Sequence, residues 1–105
     1  SCSLYAVHLN NGQVYFGHIA SVDSNTIILA NAYFLEIYQE PAPKSASQNF
    51  IMEQIPKQTF KLVRRGDEKI LSSDHTLVIN RDAVLYWEKL TPESEVAKFI
   101  KANQK

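Results

Sequence analysis

Hydrophobic and polar residues alternate in the first part of the chain, in the period-2 pattern of half-buried β-strands. Residues 4–9 place Tyr5, Val7 and Leu9 on one face. Asn11-Gly12 follows, and because both residues tolerate positive φ, this pair predicts a two-residue type I′ hairpin turn. The chain therefore begins with an antiparallel β-hairpin.

The return segment of this hairpin, residues 13–23, changes the face on which its apolar residues lie. Val14 and Phe16 share one parity, whereas Ile19 lies on the other side of the change, which follows Gly17. A period-2 strand changes face only by bulging or bending, and glycine allows the backbone to do so. A strand bent in its middle is typical of a small barrel.

Further strands are predicted at residues 26–38, 59–65, 76–79 and 83–90, separated by polar turns. The first of these is apolar on both faces from Ile27 to Leu35, which predicts that the core covers one face and another element or subunit covers the other. The fold class is thus mainly β, with five or six short strands in a strongly bent barrel.

The end of the chain changes to a helical period. Thr91 is a suitable N-cap with Pro92 at the first helical position, and Val96, Phe99 and Ile100 form one apolar stripe. These residues predict a short C-terminal helix over residues 92–103. Because a free helix of this length is only marginally stable, we expect it to dock on the barrel or on a partner.

The 105 residues are expected to form one domain, residues 1–105, since the chain is too short for two cores. A Pro- and Ser-containing stretch at about residues 40–57 predicts a long mobile loop inside that domain. The single cysteine, Cys2, excludes an internal disulfide framework, and no run approaches the roughly 20 apolar residues of a membrane span. We therefore expect a cytoplasmic protein with no membrane partner.

Charge narrows the possible functions. Lys and Arg (11) balance Asp and Glu (11), which argues against a polybasic protein that binds nucleic acid through its total charge. Before Glu36 only Asp23 is charged. Any recognition that depends on charge must therefore come from the later two thirds of the chain.

The strand and turn residues resemble the Sm-like family of small β-barrels. In the first hairpin, the run Val7-His-Leu9-Asn-Asn-Gly12 is followed by Gly17, Ile19 and Asp23 at the spacing of the first Sm sequence block. The run from Val78 to Tyr86 approximates the second block. The resemblance covers about half of the chain and extends to short Sm-like proteins of reduced bacterial genomes. It implies a barrel of the Sm-like or SH3-like type, homo-oligomeric rings and single-stranded RNA as a partner.

The uridine site implied by the resemblance is degenerate in this chain. Where Sm rings carry an Asn, the aligned position holds Ile27, or Thr26 beside Asn25 if the loop is one residue shorter. Where they carry an Arg-Gly pair, this chain has Asn80-Arg81. Asn25, Thr26, Asn80 and Arg81 are therefore the residues that we expect to contact RNA at this site.

A second candidate for RNA binding is a basic segment with net charge +3. It contains Lys61, Arg64 and Arg65, flanked by Lys57 and Lys69 and offset by Asp67 and Glu68. With Phe60 nearby, the segment has the composition of a phosphate-binding strand with an aromatic platform. Alternatively, its charges protect an edge strand from aggregation.

The last two strands carry the residues predicted for self-association. Sm-like rings assemble through the fourth and fifth strands of neighbouring copies, here resembling residues 76–79 and 83–90. The candidate interface residues are Val78, Ile79, Val84, Tyr86 and Trp87. Successive strand residues point to opposite faces, so one of Tyr86 and Trp87 should lie in the core.

No pattern in the sequence predicts catalysis. His8, His18 and His75 lack metal-ligand spacing, the run from Ser72 to His75 is typical of a turn, and no glycine-rich phosphate loop is present. We expect a non-enzyme without cofactor, metal or small-molecule substrate. The leading hypothesis is a ring that binds RNA through phosphate and stacking contacts. The alternatives are an oligomeric scaffold or protein-interaction module, and another SH3-like protein-binding domain.

Overall fold

The computed structural model describes residues 3–40 and 57–103. Its elements are β1 (Tyr5–Leu9), β2 (Val14–Val22), β3 (Thr26–Glu40), β4 (Lys57–Arg64), β5 (Leu77–Asn80), a 3-10 helix (Arg81–Ala83), β6 (Val84–Lys89) and α1 (Glu95–Ala102). The predicted fold class, mainly β with a short C-terminal helix, is confirmed. Most of the predicted mobile loop, residues 41–56, lies outside the described residues.

The six strands form one antiparallel sheet in the order β4-β3-β2-β1-β6, and β5 pairs with the first residues of β3. One edge of β3 pairs with β2, and its other edge pairs with β5 near its start and with β4 towards its end. Although β5 and β6 lie at opposite edges of the sheet, only the 3-10 helix Arg81–Ala83 separates them in the chain. Such a short connection requires the sheet to curl until these edges approach each other. Among the described strands no ladder joins β5 to β6, so closure of the barrel stays a prediction.

The β1–β2 hairpin differs from the predicted type I′ turn. Only Gly12 of the Asn11-Gly12 pair adopts positive φ, at 89°. The Leu9 N–H donates to the Gln13 carbonyl at 2.9 Å, which closes a three-residue loop. The Asn11 Oδ1 stabilises this loop by accepting the Gln13 N–H at 3.0 Å. The prediction of a two-residue turn was therefore wrong, because the Asn11 side chain favours a longer loop that needs only one left-handed residue.

The predicted irregularity at Gly17 is confirmed. The register between β2 and β3 shifts between Phe16 and His18, and again between Ile19 and Ser21. Gly17 also lies against β3, since a Cβ at this position would be 2.7 Å from the Ala30 carbonyl oxygen. The glycine thus provides both the bend and the close approach of two strands.

Two apolar clusters occupy the two faces of the sheet. The inner cluster contains Val7, Leu9, Ile27, Leu29, Ala32 and Ile79. The outer cluster contains Ala6, Phe16, Tyr33 and Ile100, with Leu62 and Val96 packed against it. On β3 the core covers one face through Ile27, Leu29 and Ala32, whereas on the other face Tyr33 packs with Ile100 of α1 and Leu35 is exposed.

The C-terminal helix begins later than predicted. Its N-cap is Ser94, whose Oγ accepts the Ala97 N–H at 3.0 Å, so the prediction of Thr91 as the cap was wrong. Thr91 instead accepts the Ser94 N–H through its carbonyl oxygen and forms the preceding turn. Within the described part of the chain, no helix is long and apolar enough to cross a membrane.

Candidate functional site

Three of the residues predicted to contact RNA meet at one end of the sheet. Thr26 begins β3 and lies opposite Asn80, the last residue of β5, while Asn25 precedes Thr26 in the β2–β3 turn. They line a cavity of about 480 Å³ together with Ser24, Val78 and Asp82. We call this cavity the carboxamide cavity, because Asn25 and Asn80 are its two amide side chains.

Local hydrogen bonds hold both sides of the carboxamide cavity. The Asp23 carboxylate accepts the N–H groups of Thr26 and Asn25, each at 2.8 Å, and these bonds hold the pKa of the exposed Asp23 below its usual value of 3.8. On the other side, the Asn80 Oδ1 accepts the Asp82 N–H at 3.0 Å and caps the 3-10 helix. The Arg81 N–H donates to the Asn25 carbonyl at 2.9 Å and ties the two turns together.

The Arg81 side chain is engaged outside this cavity. Its guanidinium lies over the Trp87 ring, 4.9 Å from the ring centroid, and Trp87 packs against the inner apolar cluster. A cation–π contact with a partly buried ring restrains the guanidinium. Arg81 is therefore next to the carboxamide cavity in sequence but does not line it.

The basic segment does not join the carboxamide cavity. The Arg64 Nε donates to the Asn31 Oδ1 at 2.8 Å. Arg65 pairs with Glu68 at 2.9 Å and lies over the Phe34 ring, 5.1 Å from its centroid, with only 20% of its side chain exposed. Lys61 is exposed on β4. Two of the three predicted cations are thus held by neighbouring side chains, and Lys61 is the most exposed of the three.

A second cavity, of about 690 Å³, was not predicted from the sequence. Asn31, Tyr33, Arg64, Asp67, Asp74, His75 and Asn103 line it. Asn31 lies in β3 between the residues that pair with β5 and those that pair with β4, and its φ is 52°. His75, at φ 70°, donates its Nδ1 proton to the Arg65 carbonyl. The sequence signal for this cavity is Asn31, a polar residue inside an apolar run. Asparagine tolerates the left-handed backbone conformation that Asn31 adopts here.

The predicted interface residues occupy both surface and core. Val78 is 66% exposed and Tyr86 is 52% exposed, whereas Ile79 is buried in the inner cluster. Val84 and Trp87 are half-buried against the same cluster, which confirms that one of Tyr86 and Trp87 belongs to the core. The Tyr86 ring stacks on that of His8 with 4.2 Å between centroids.

The described residues contain no group of three or more His, Cys, Asp or Glu side chains that could hold a metal ion. Comparison of the chain with protein-family models finds no match, and comparison with curated proteins finds no relative. The function must therefore be inferred from the geometry.

Proposed function

We propose that the chain is an Sm-like protein that assembles into a homo-oligomeric ring and binds single-stranded RNA. The observation that carries this proposal is the strand pairing of β5 and β6, the last two strands of the chain. Among the described ladders, β5 pairs only with β3, and β6 pairs only with β1. Each strand therefore keeps one edge available for hydrogen bonding to another copy.

The side chains at these edges favour their use in assembly. Val78 on β5 is 66% exposed, and Leu85 and Tyr86 on β6 are 65% and 52% exposed. Open strand edges with apolar side chains promote uncontrolled aggregation unless the protein covers them. Pairing β5 of one copy with β6 of the next is a head-to-tail contact, and such contacts generate rings when the rotation closes.

Binding of RNA is supported by the carboxamide cavity. A ring would repeat Asn25, Thr26 and Asn80 once per copy around its centre. Carboxamide and hydroxyl groups hydrogen-bond to the edges of unstacked bases, which is how single-stranded RNA is usually recognised. Because Arg64 and Arg65 are engaged with Asn31 and Glu68, we expect base contacts to contribute more than phosphate contacts.

A second candidate function is an assembly scaffold that binds no nucleic acid. It is favoured by those same engaged arginines and by the Asp82 carboxylate in the wall of the carboxamide cavity. A carboxylate there repels phosphate groups. In this alternative, Asn25 and Asn80 only stabilise the turns that present β5 and β6.

Light scattering on a sizing column tests the ring. We expect more than two 11.9 kDa copies per particle, and we expect Val78→Lys to reduce the particle to two copies or fewer, because a charge on an exposed edge opposes pairing. The matched control is Val22→Lys, at an exposed position of β2. A wild-type particle of one or two copies contradicts the ring.

Fluorescence anisotropy with labelled oligo-U and oligo-A, at several salt concentrations, tests RNA binding. We expect saturable binding that weakens as salt rises. Flat curves at low salt with an intact ring would support the scaffold.

A further inference from the structure

Helix α1 borders an apolar groove on the outer face of the sheet. The groove has a volume of about 630 Å³ and lies between α1 and the paired strands β3 and β4. Its apolar lining consists of Leu35, Phe60, Leu62, Val96 and Phe99, and Glu95 and Lys98 complete its wall. Val96 also packs on the outer apolar cluster, so the helix that forms one side of the groove is fixed to the sheet.

The surface around this groove carries several exposed apolar side chains. In the β3–β4 ladder Leu35 pairs with Leu62, and Ile37 pairs with Phe60, which places these residues on one face. The exposed fractions are 36% for Leu35, 57% for Ile37, 61% for Phe60 and 39% for Phe99. With about 200 Å² for a fully exposed large side chain, these four residues expose about 400 Å² of side-chain surface, the size of the largest apolar patch on a typical monomer, which is often functional.

We infer that a second copy of this chain covers this surface in a two-fold symmetric contact. Phe99 lies in the α1 wall of the groove and is 39% exposed. A two-fold axis therefore allows the Phe99 side chain of each copy to enter the groove of the other, as a self-complementary contact requires. The four exposed apolar residues of both copies together bury about 800 Å², about half of a standard interface of ~1,600 Å², and the polar rim supplies the remainder.

Charges at the groove favour this occupant over a membrane or an unrelated protein. Glu95 and Lys98 lie 4.0 Å apart on α1, with 95% and 64% of their side chains exposed. A two-fold axis perpendicular to the helix runs the two helices antiparallel, so Glu95 of each copy approaches Lys98 of the other. The rim is therefore complementary to itself, and a chain of formal net charge zero has no overall repulsion between copies.

This contact is separate from the proposed ring contact. The ring would use the edges of β5 and β6, whereas the groove is formed by β3, β4 and α1. Because the two contacts share no residue, each can be removed without the other. The inference does not depend on the proposed function.

The first experiment measures the oligomeric state of the Val78→Lys variant, in which the β5 edge is blocked. Light scattering at tens of micromolar should give two copies of 11.9 kDa. Adding Phe99→Gln should raise the dimer dissociation constant at least tenfold, while adding Val22→Ser, at another exposed apolar position, should leave it unchanged. A monomeric Val78→Lys protein, or a Phe99→Gln protein that dimerises as before, overturns the inference.

A charge exchange provides a test that does not depend on core packing. Glu95→Lys and Lys98→Glu each place like charges across the two-fold axis, so each variant alone should dimerise at least tenfold more weakly. Mixing the two variants should restore a mixed dimer with the original affinity, and the double variant should pair with itself. Native mass spectrometry resolves the mixed species. Equal dimerisation of all four proteins would overturn the contact, and circular dichroism of each variant shows that α1 is retained.

Discussion

Replacing Gly17 by alanine should destabilise the protein because β2 and β3 approach each other closely at this residue. An added Cβ would lie 2.7 Å from the Ala30 carbonyl oxygen and 2.8 Å from the Leu29 Cγ. Neither atom can move easily, since the first belongs to the backbone and the Leu29 side chain is fully buried. The φ angle of Gly17 lies outside the left-handed region, so the effect comes from space and not from backbone strain.

The expected magnitude is the difference between two opposing contributions. Alanine restricts the unfolded chain and by itself would add about 0.5–1 kcal/mol of stability. Overpacking of a rigid site costs about 1–3 kcal/mol, and two contacts below 3.0 Å place Gly17→Ala at the upper end. The net loss in the free energy of unfolding should be about 2 kcal/mol.

Gly12 offers a matched comparison in the neighbouring hairpin loop. Its φ is +89°, but a Cβ there would meet nothing within 4 Å. Gly12→Ala therefore introduces only left-handed strain, with an expected loss of about 1 kcal/mol. Gly12→Asn should lose less, because asparagine tolerates this region.

Urea unfolding followed by the fluorescence of the single tryptophan, Trp87, measures both changes. The midpoint should fall by about 1–2 M for Gly17→Ala and by roughly half as much for Gly12→Ala. Measurements at several protein concentrations separate folding from assembly, which stabilises the folded state by mass action. A wild-type midpoint for Gly17→Ala, or a larger loss for Gly12→Ala, would refute the spatial explanation.

Four further substitutions test the core, the turn and the proposed RNA contacts. Leu29→Ala, at a fully buried position, should cost about 3–5 kcal/mol in the same urea assay. Asp23→Ala should lower the midpoint at pH 7, and the difference from wild type should vanish as the pH falls well below 3.8, because N–H groups of Thr26 and Asn25 lower the folded pKa and stabilise only the ionised carboxylate. Asn25→Ala should weaken oligo-U binding about tenfold in anisotropy with an unchanged salt slope, whereas Lys61→Ala should reduce that slope by about 1.

Local patterns predicted the strands and the turns between them well. Short-range preferences account for the alternation in the first hairpin, the bend at Gly17 and the turn after β4. The helix start and the hairpin loop were misplaced because each offered two acceptable solutions. Ser94 and Thr91 are both good caps, and Asn11-Gly12 suits loops of two or three residues.

The candidate sites were predicted less completely than the strands. The resemblance implied that the turns holding Asn25, Thr26 and Asn80 are neighbours. The register of β3 with β5 places these residues together. The basic segment looked like one patch in sequence. In the structure its arginines turn to Asn31, Glu68 and Phe34, which lie on other elements or across a turn.

The sequence by itself determined that this chain is mainly β and that its second strand bends at Gly17. Periodicity and turn chemistry are local, so they can be evaluated without knowing which strands pair. Only the tertiary structure decided which charges remain free, which apolar faces stay uncovered and where cavities form. Those properties depend on register and on contacts between residues far apart in the chain, such as Arg64 with Asn31.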